Sequence, residues 1–145
     1  MSARLDQITE VILTRFKDEW LDPDDASKPR TPFAFGNEAL DPPDGYWVRL
    51  WVRSVPGQQE TLGRVGNRRY NRPGFVIGDI RSPPGQGQGG NQRLGEHLRD
   101  IFEGIRLGPY DLRFGVLDIQ DVGEIEDGRW WASTAECRFE YEDFR

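Results

Sequence analysis

Apolar residues near the start of the chain recur at Leu5, Ile8, Ile12 and Phe16, the spacing of one helical face, with Leu13 and Trp20 flanking it. Ser2 is a candidate cap for this helix. The helix is expected to stop by Leu21, because Asp22-Pro23-Asp24-Asp25 follows and a residue before proline disfavours helical angles. Residues 22–32 read as a polar loop. Residues 33–35 are a candidate short strand, and the stretch through Asp41-Pro42-Pro43-Asp44-Gly45 reads as a turn-rich connection. The period then changes from helical to alternating. Over residues 46–55, Val48, Leu50 and Val52 point one way, while Trp47, Arg49, Trp51 and Arg53 point the other. A strand face with two tryptophans and two arginines has two readings. It is a protein contact surface, since Trp and Arg dominate binding hot spots, or it is covered by a helix or loop of the same chain.

Residues 56–73 are rich in glycine and arginine, with weak strand character at 61–65, and suit a long exposed hairpin arm better than a core element. A second strand is expected over 75–81, bounded by Gly74 and by Pro83-Pro84, followed by a flexible Pro/Gly loop over 82–91. A second amphipathic helix carries Leu94, Leu98, Ile101, Phe102 and Ile105 on one side and is expected to end near Gly108-Pro109. Leu112, Phe114 and Val116 alternate as a strand that continues weakly to Ile125. Glu126-Asp127-Gly128 then turns the chain into a last strand, with Trp131, Ser133, Ala135, Cys137, Phe139 and Tyr141 on one face. The order predicts a single α+β domain over 1–145, with two helices packed on a mainly antiparallel sheet.

Composition narrows the function. At 145 residues the chain is long enough for one real core. No apolar run approaches a membrane span, the acidic start is unlike a secretory signal or transit peptide, and the single Cys137 excludes an internal disulfide. A net charge of −6 argues against general binding to a phosphate backbone. The charge is unevenly spread: residues 53–81 hold six basic and two acidic side chains, and residues 118–145 hold three and nine. Gly85, Gly87 and Gly90 form a literal G-x-G-x-x-G between a strand and a helix. The acidic residue at the required distance, Asp111, falls at the wrong end of its strand, so a mobile contact loop is the better reading than a dinucleotide cradle. His97 has no Cys or His neighbour to share a metal. Cys137 reads as a small core residue. The pairs Glu124/Glu126 and Glu140/Glu142 lack an acid–base partner. No catalytic constellation, cofactor or metal follows from these residues.

The layout resembles the tail terminator (tail completion) family of long-tailed bacteriophages and gene transfer agents, the minor tail protein U group. The resemblance rests on the N-terminal helix, the arginine-containing arm leading into a hydrophobic strand, and the stretch GFVIGDIRSPPGQGQGG at 74–90. It continues through the helical LGEHLRDIF at 94–102 and the closing hairpin with its aromatic strand. It implies a non-enzymatic virion protein at the head-proximal end of the tail, assembled in the host cytoplasm. Its subunits would form a hexameric ring that caps the tail tube, stops its growth and offers a surface to a neck or head-completion protein. DNA would pass through the lumen without specific binding, and neither membrane nor cofactor would be involved. A ring needs a heterologous interface, which segment 53–81 facing segment 118–145 of a neighbour would supply. The candidate contact residues are Trp47, Arg49, Trp51, Arg53, Arg64, Arg68, Arg69, Arg72, Gly85, Gly87, Gly90, Glu124, Glu126 and Asp127. Charge reversal at Arg68 and Arg69 is then expected to weaken self-association or docking without unfolding the chain. A head–tail neck (connector) protein is the nearest alternative, and a small nucleotide-binding enzyme using residues 85–90 is a distant one.

Overall fold

A computed structural model describes residues 3–85 and 88–145. The longest alternating stretches form the longest strands: β6 (Arg69–Ser82), β8 (Leu112–Ile125) and β9 (Trp130–Phe144). With β3 (Phe33–Phe35), β4 (Trp47–Ser54) and β7 (Arg106–Leu107) they make a sheet of order β3-β4-β6-β9-β8-β7. A short seventh strand, β5 (Gln58–Gln59), pairs with the start of β6. Only β3 and β4 are parallel; the other pairs are antiparallel. Helices α1 (Leu5–Glu19) and α2 (Gln88–Phe102) contribute to one core with a single face of this sheet. The α+β class expected from the sequence is therefore the observed one.

The core follows the two periods. Ile8, Ile12 and Phe16 of α1 and Leu94, Leu98, Ile101 and Phe102 of α2 meet Val48 and Leu50 of β4, Val76 and Ile80 of β6, and Ala135, Cys137 and Phe139 of β9. Two glycines make room for close contacts, one to α2 and one within the sheet. A Cβ on Gly78 would meet Leu98 Cδ1 at 2.6 Å. One on Gly74 would run into the Phe139 ring and lie 2.7 Å from the Arg53 carbonyl oxygen.

Several boundaries differ from those expected. The polar loop at 22–32 contains a two-stranded hairpin, β1 (Leu21–Asp22) with β2 (Asp25–Pro29), shaped by the Asp22 carboxylate accepting from the Asp24 N–H and that of Asp25 from the Ser27 N–H. Leu5 is exposed rather than core-facing, Arg4 stands at the N-cap of α1, and the proposed cap Ser2 lies outside the described residues. Helix α2 ends at Phe102, well before 108, because Gly104 adopts a left-handed conformation (φ +70°) that stops the helix and leads into β7. The strand expected at 75–81 begins at Arg69, so Arg69 and Arg72 belong to the sheet and the arm is shorter. Within the arm the paired residues are Gln58–Gln59, not 61–65. Two bulges in β8, at Phe114/Leu117 and Asp121/Gly123, each insert one residue and reverse the alternation. They expel Val116 and Val122 to solvent and send Leu117 into the core in place of Val116.

Gly74→Ala is expected to cost about 1–3 kcal/mol, because the added methyl has a carbonyl and a buried ring in its way. Gly45→Ala, with nothing within 4 Å of its Cβ position, should leave the urea midpoint unchanged. Equal midpoints for the two variants would show that β4 and β6 do not need this close approach.

Candidate functional site

With both helices on one side, no helix covers the other face of the sheet among the described residues. The loop after β3 gives part of the cover considered for its tryptophans, since a Cβ on Gly36 would stand 3.6 Å from the Trp51 ring, and the two rings have different fates. Trp47 is buried. It packs edge-on to Trp130 (centroids 5.9 Å apart), with the guanidiniums of Arg81 and Arg49 5.3 and 5.7 Å from its ring centroid. Such cation–π placement holds charged heads over an apolar ring while their stems shield it. Arg49 also donates from Nη1 to the carbonyls of Gly36 (2.9 Å) and Glu38 (2.7 Å), pinning the loop after β3. Trp51 remains 41% exposed. It borders a shallow groove of about 350 Å³, lined also by Ile77, Asp79, Val122, Ile125 and Ala132, with Arg53 and Arg81 among its charged residues.

The expected contact residues are dispersed. Arg69 pairs with Glu60 across the base of the arm at 2.9 Å. Arg72 pairs with Asp143 at 3.4 Å and lies over the Tyr70 ring. Arg81 reaches Glu126 at 3.0 Å and Asp79 at 3.1 Å. Two of these pairs, Arg72–Asp143 and Arg81–Glu126, join segments 53–81 and 118–145 inside one subunit. Arg53 and Arg64 are exposed and Arg68 is half-buried; the Arg68 Nε donates to the Gly63 carbonyl at 3.0 Å. Glu124 and Asp127 sit exposed around the β8–β9 turn, where Glu126 and Asp127 have positive φ. Of the glycine motif, Gly85 forms a turn (φ +86°) and Gly87 lies outside the described residues. Gly90 is buried inside α2, with the Tyr46 phenol where its Cβ would be. Tyr46 thus occupies the space over the third glycine of the motif.

The remaining chemical candidates take structural positions. His97 stacks on Trp20 with centroids 4.8 Å apart, and burial, followed by the charge of Arg30, holds its pKa below the ordinary value. The Cys137 thiol is buried, and burial pushes its pKa up to about 12, leaving it protonated and a poor nucleophile. No group of three or more His, Cys, Asp or Glu side chains converges as a metal site among the described residues, and no described helix is long and apolar enough to cross a membrane.

Two features escaped sequence reasoning. The groove depends on Val122, whose outward direction comes from a bulge that no periodic pattern signals. The second is a knot at the base of the arm. Asp143, only 1% exposed, accepts from the Ala3 N–H at 3.1 Å and from Arg72, and pairs with Arg145 Nε at 2.8 Å. It borders a cavity of about 340 Å³ between Leu5, Pro56 and Tyr141.

No family model and no curated protein matches the sequence. A solved structure whose designation describes no activity is similar to this chain, with a TM-score of 0.65 and 17% identity over 94% of this chain and 97% of the other. That likeness carries the fold and nothing finer.

Asp143→Ala leaves the Ala3 N–H and two guanidiniums without their shared acceptor and is expected to cost about 1–3 kcal/mol, read from the denaturant midpoint. A midpoint equal to that of the unaltered chain would exclude a structural role for the knot. Cys137 should resist alkylation at pH 8 until the chain unfolds. The folded chain holds its thiol proton more tightly than the unfolded chain, so that stabilisation is complete below about pH 9 and is lost as pH rises towards 12. Rapid labelling of the native protein would contradict this placement.

Proposed function

We propose that the chain is a structural, ring-forming subunit of a bacteriophage or gene-transfer-agent tail, of the tail terminator type. Such a ring caps the tail tube, ends its polymerisation and presents a surface for head attachment. The observation that carries this reading is the division of one small domain into unlike surfaces. Both helices and the core occupy one side of the sheet, the other side carries a groove that no helix covers among the described residues, and a hairpin arm follows β4. A heterologous ring needs two different, non-overlapping patches on each subunit. The order of elements in the sequence supports the same family, and the cysteine and histidine stand in structural rather than reactive settings.

The test is electron microscopy of particles from a producer strain lacking this gene. Tails of uncontrolled length, detached from filled heads, are expected. Tails of normal length beside filled heads would move the protein to the neck. Intact infectious particles would overturn the virion reading altogether. In a thermal-shift series with nucleotides, the purified chain is expected to show no dose-dependent rise in melting temperature, since Tyr46 occupies the space over Gly90. A reproducible rise would favour the small-enzyme alternative.

A further inference from the structure

The arm tip is apolar, exposed and pre-shaped. Leu62 is 94% and Val65 82% exposed. Hydrogen bonds hold their loop, among them Gln59 Nε2 to the Thr61 carbonyl, the Arg69 N–H to Thr61 Oγ1, the Asn67 N–H to the Arg64 carbonyl, and Arg68 Nε to the Gly63 carbonyl. Two aliphatic side chains kept in water by a hydrogen-bonded loop are a binding feature without a partner among the described residues, and Arg64 and Arg68 flank them. Arg64 makes no ion pair among the described residues.

The open sheet face carries the complementary pattern. One register row runs Trp51–Ile77–Glu136–Asp118 across β4, β6, β9 and β8. Its first half is the wall and floor of the apolar groove, which Val122 (57% exposed) extends. Its second half sets two exposed carboxylates directly opposite each other on adjacent strands, an arrangement that is unfavourable in the isolated subunit. Neither carboxylate has an ion-pair partner among the described residues. The next row holds the cations Arg53 and Arg138, with Arg138 turned over the Phe75 ring at 5.9 Å.

We propose that the arm of one copy docks on the open sheet face of a second copy, seating Leu62 and Val65 in the Trp51–Ile77–Val122 groove and setting Arg64 and Arg68 against Glu136 and Asp118. Charge complementarity selects a second copy as the occupant, because the arm supplies exposed aliphatic groups for the open groove and guanidiniums for a carboxylate pair that makes no ion pair among the described residues. Arm and groove are separate patches, so the contact is head-to-tail and repeats around a closed assembly. The inference rests on the ring-forming reading above only for that closure; the contact itself is tested on the purified chain.

Sedimentation velocity over a concentration series reads the contact. The unaltered chain should associate. L62S/V65S, R64E/R68E and D118K/E136K should each weaken association by roughly tenfold or more, with circular dichroism and melting temperature unchanged. An equimolar mixture of R64E/R68E with D118K/E136K should restore association, because the acidic arm then fits the basic face and the basic arm fits the acidic face. The proposal is overturned by an unaltered chain that stays monomeric, by arm variants that associate as well as it does, or by a mixture that fails to recover. Each of these failures leaves the tail-length phenotype of the deletion strain to judge the ring reading separately.

Discussion

The ladder between β6 and β9 is the constraint on which the rest of the molecule depends. It pairs fourteen consecutive residues of β6, from Arg69–Phe144 to Ser82–Trp131, and β6 also carries β4 and β5 on its other edge. On the core face, small residues oppose large ones: Gly74 faces Phe139, Ile80 faces Ser133, and Ser82 faces Trp131, while Gly78 faces Ala135. The sheet surface this creates is low in its middle, and Leu98 of α2 fills that place. Close packing of this kind penalises any added methylene, so the position of α2 is set by β6 and β9 together.

The same ladder redistributes charge. A chain of net charge −6 with a basic middle and an acidic end invites an intermolecular reading, yet Arg72 and Arg81 of the middle pair with Asp143 and Glu126 of the end within the subunit. Exposed pairs such as Arg81–Glu126 contribute little individually in water. Asp143 differs because it is buried and shared by the backbone near the N-terminus, by β6 and by the C-terminal Arg145, so it ties both chain ends to the base of the arm. Among the charges left without an ion pair are Arg64 and Arg68 at the arm tip and the Glu136–Asp118 pair on the sheet.

Much was legible in the chain, for reasons that can be named. Both helices, the strands around Trp47–Ser54 and Trp130–Phe144 and the turn at 126–128 follow from strict periodicity bounded by glycine, proline or aspartate, because a half-buried face imposes its period on the sequence. The sequence by itself therefore determined the types of the long elements, the two-layer α+β architecture and the identity of most core residues. Tertiary structure alone decided the rest. Two single-residue bulges in β8 moved Val116 and Val122 to solvent, and pairing with β9 drew Arg69 and Arg72 out of the arm. It also turned Trp47 from a candidate contact residue into a buried platform for two arginines while leaving Trp51 open. Local patterning records which face of a strand avoids water. It does not record which strands become neighbours, and that pairing determines which charges are satisfied and which side chains remain for a partner.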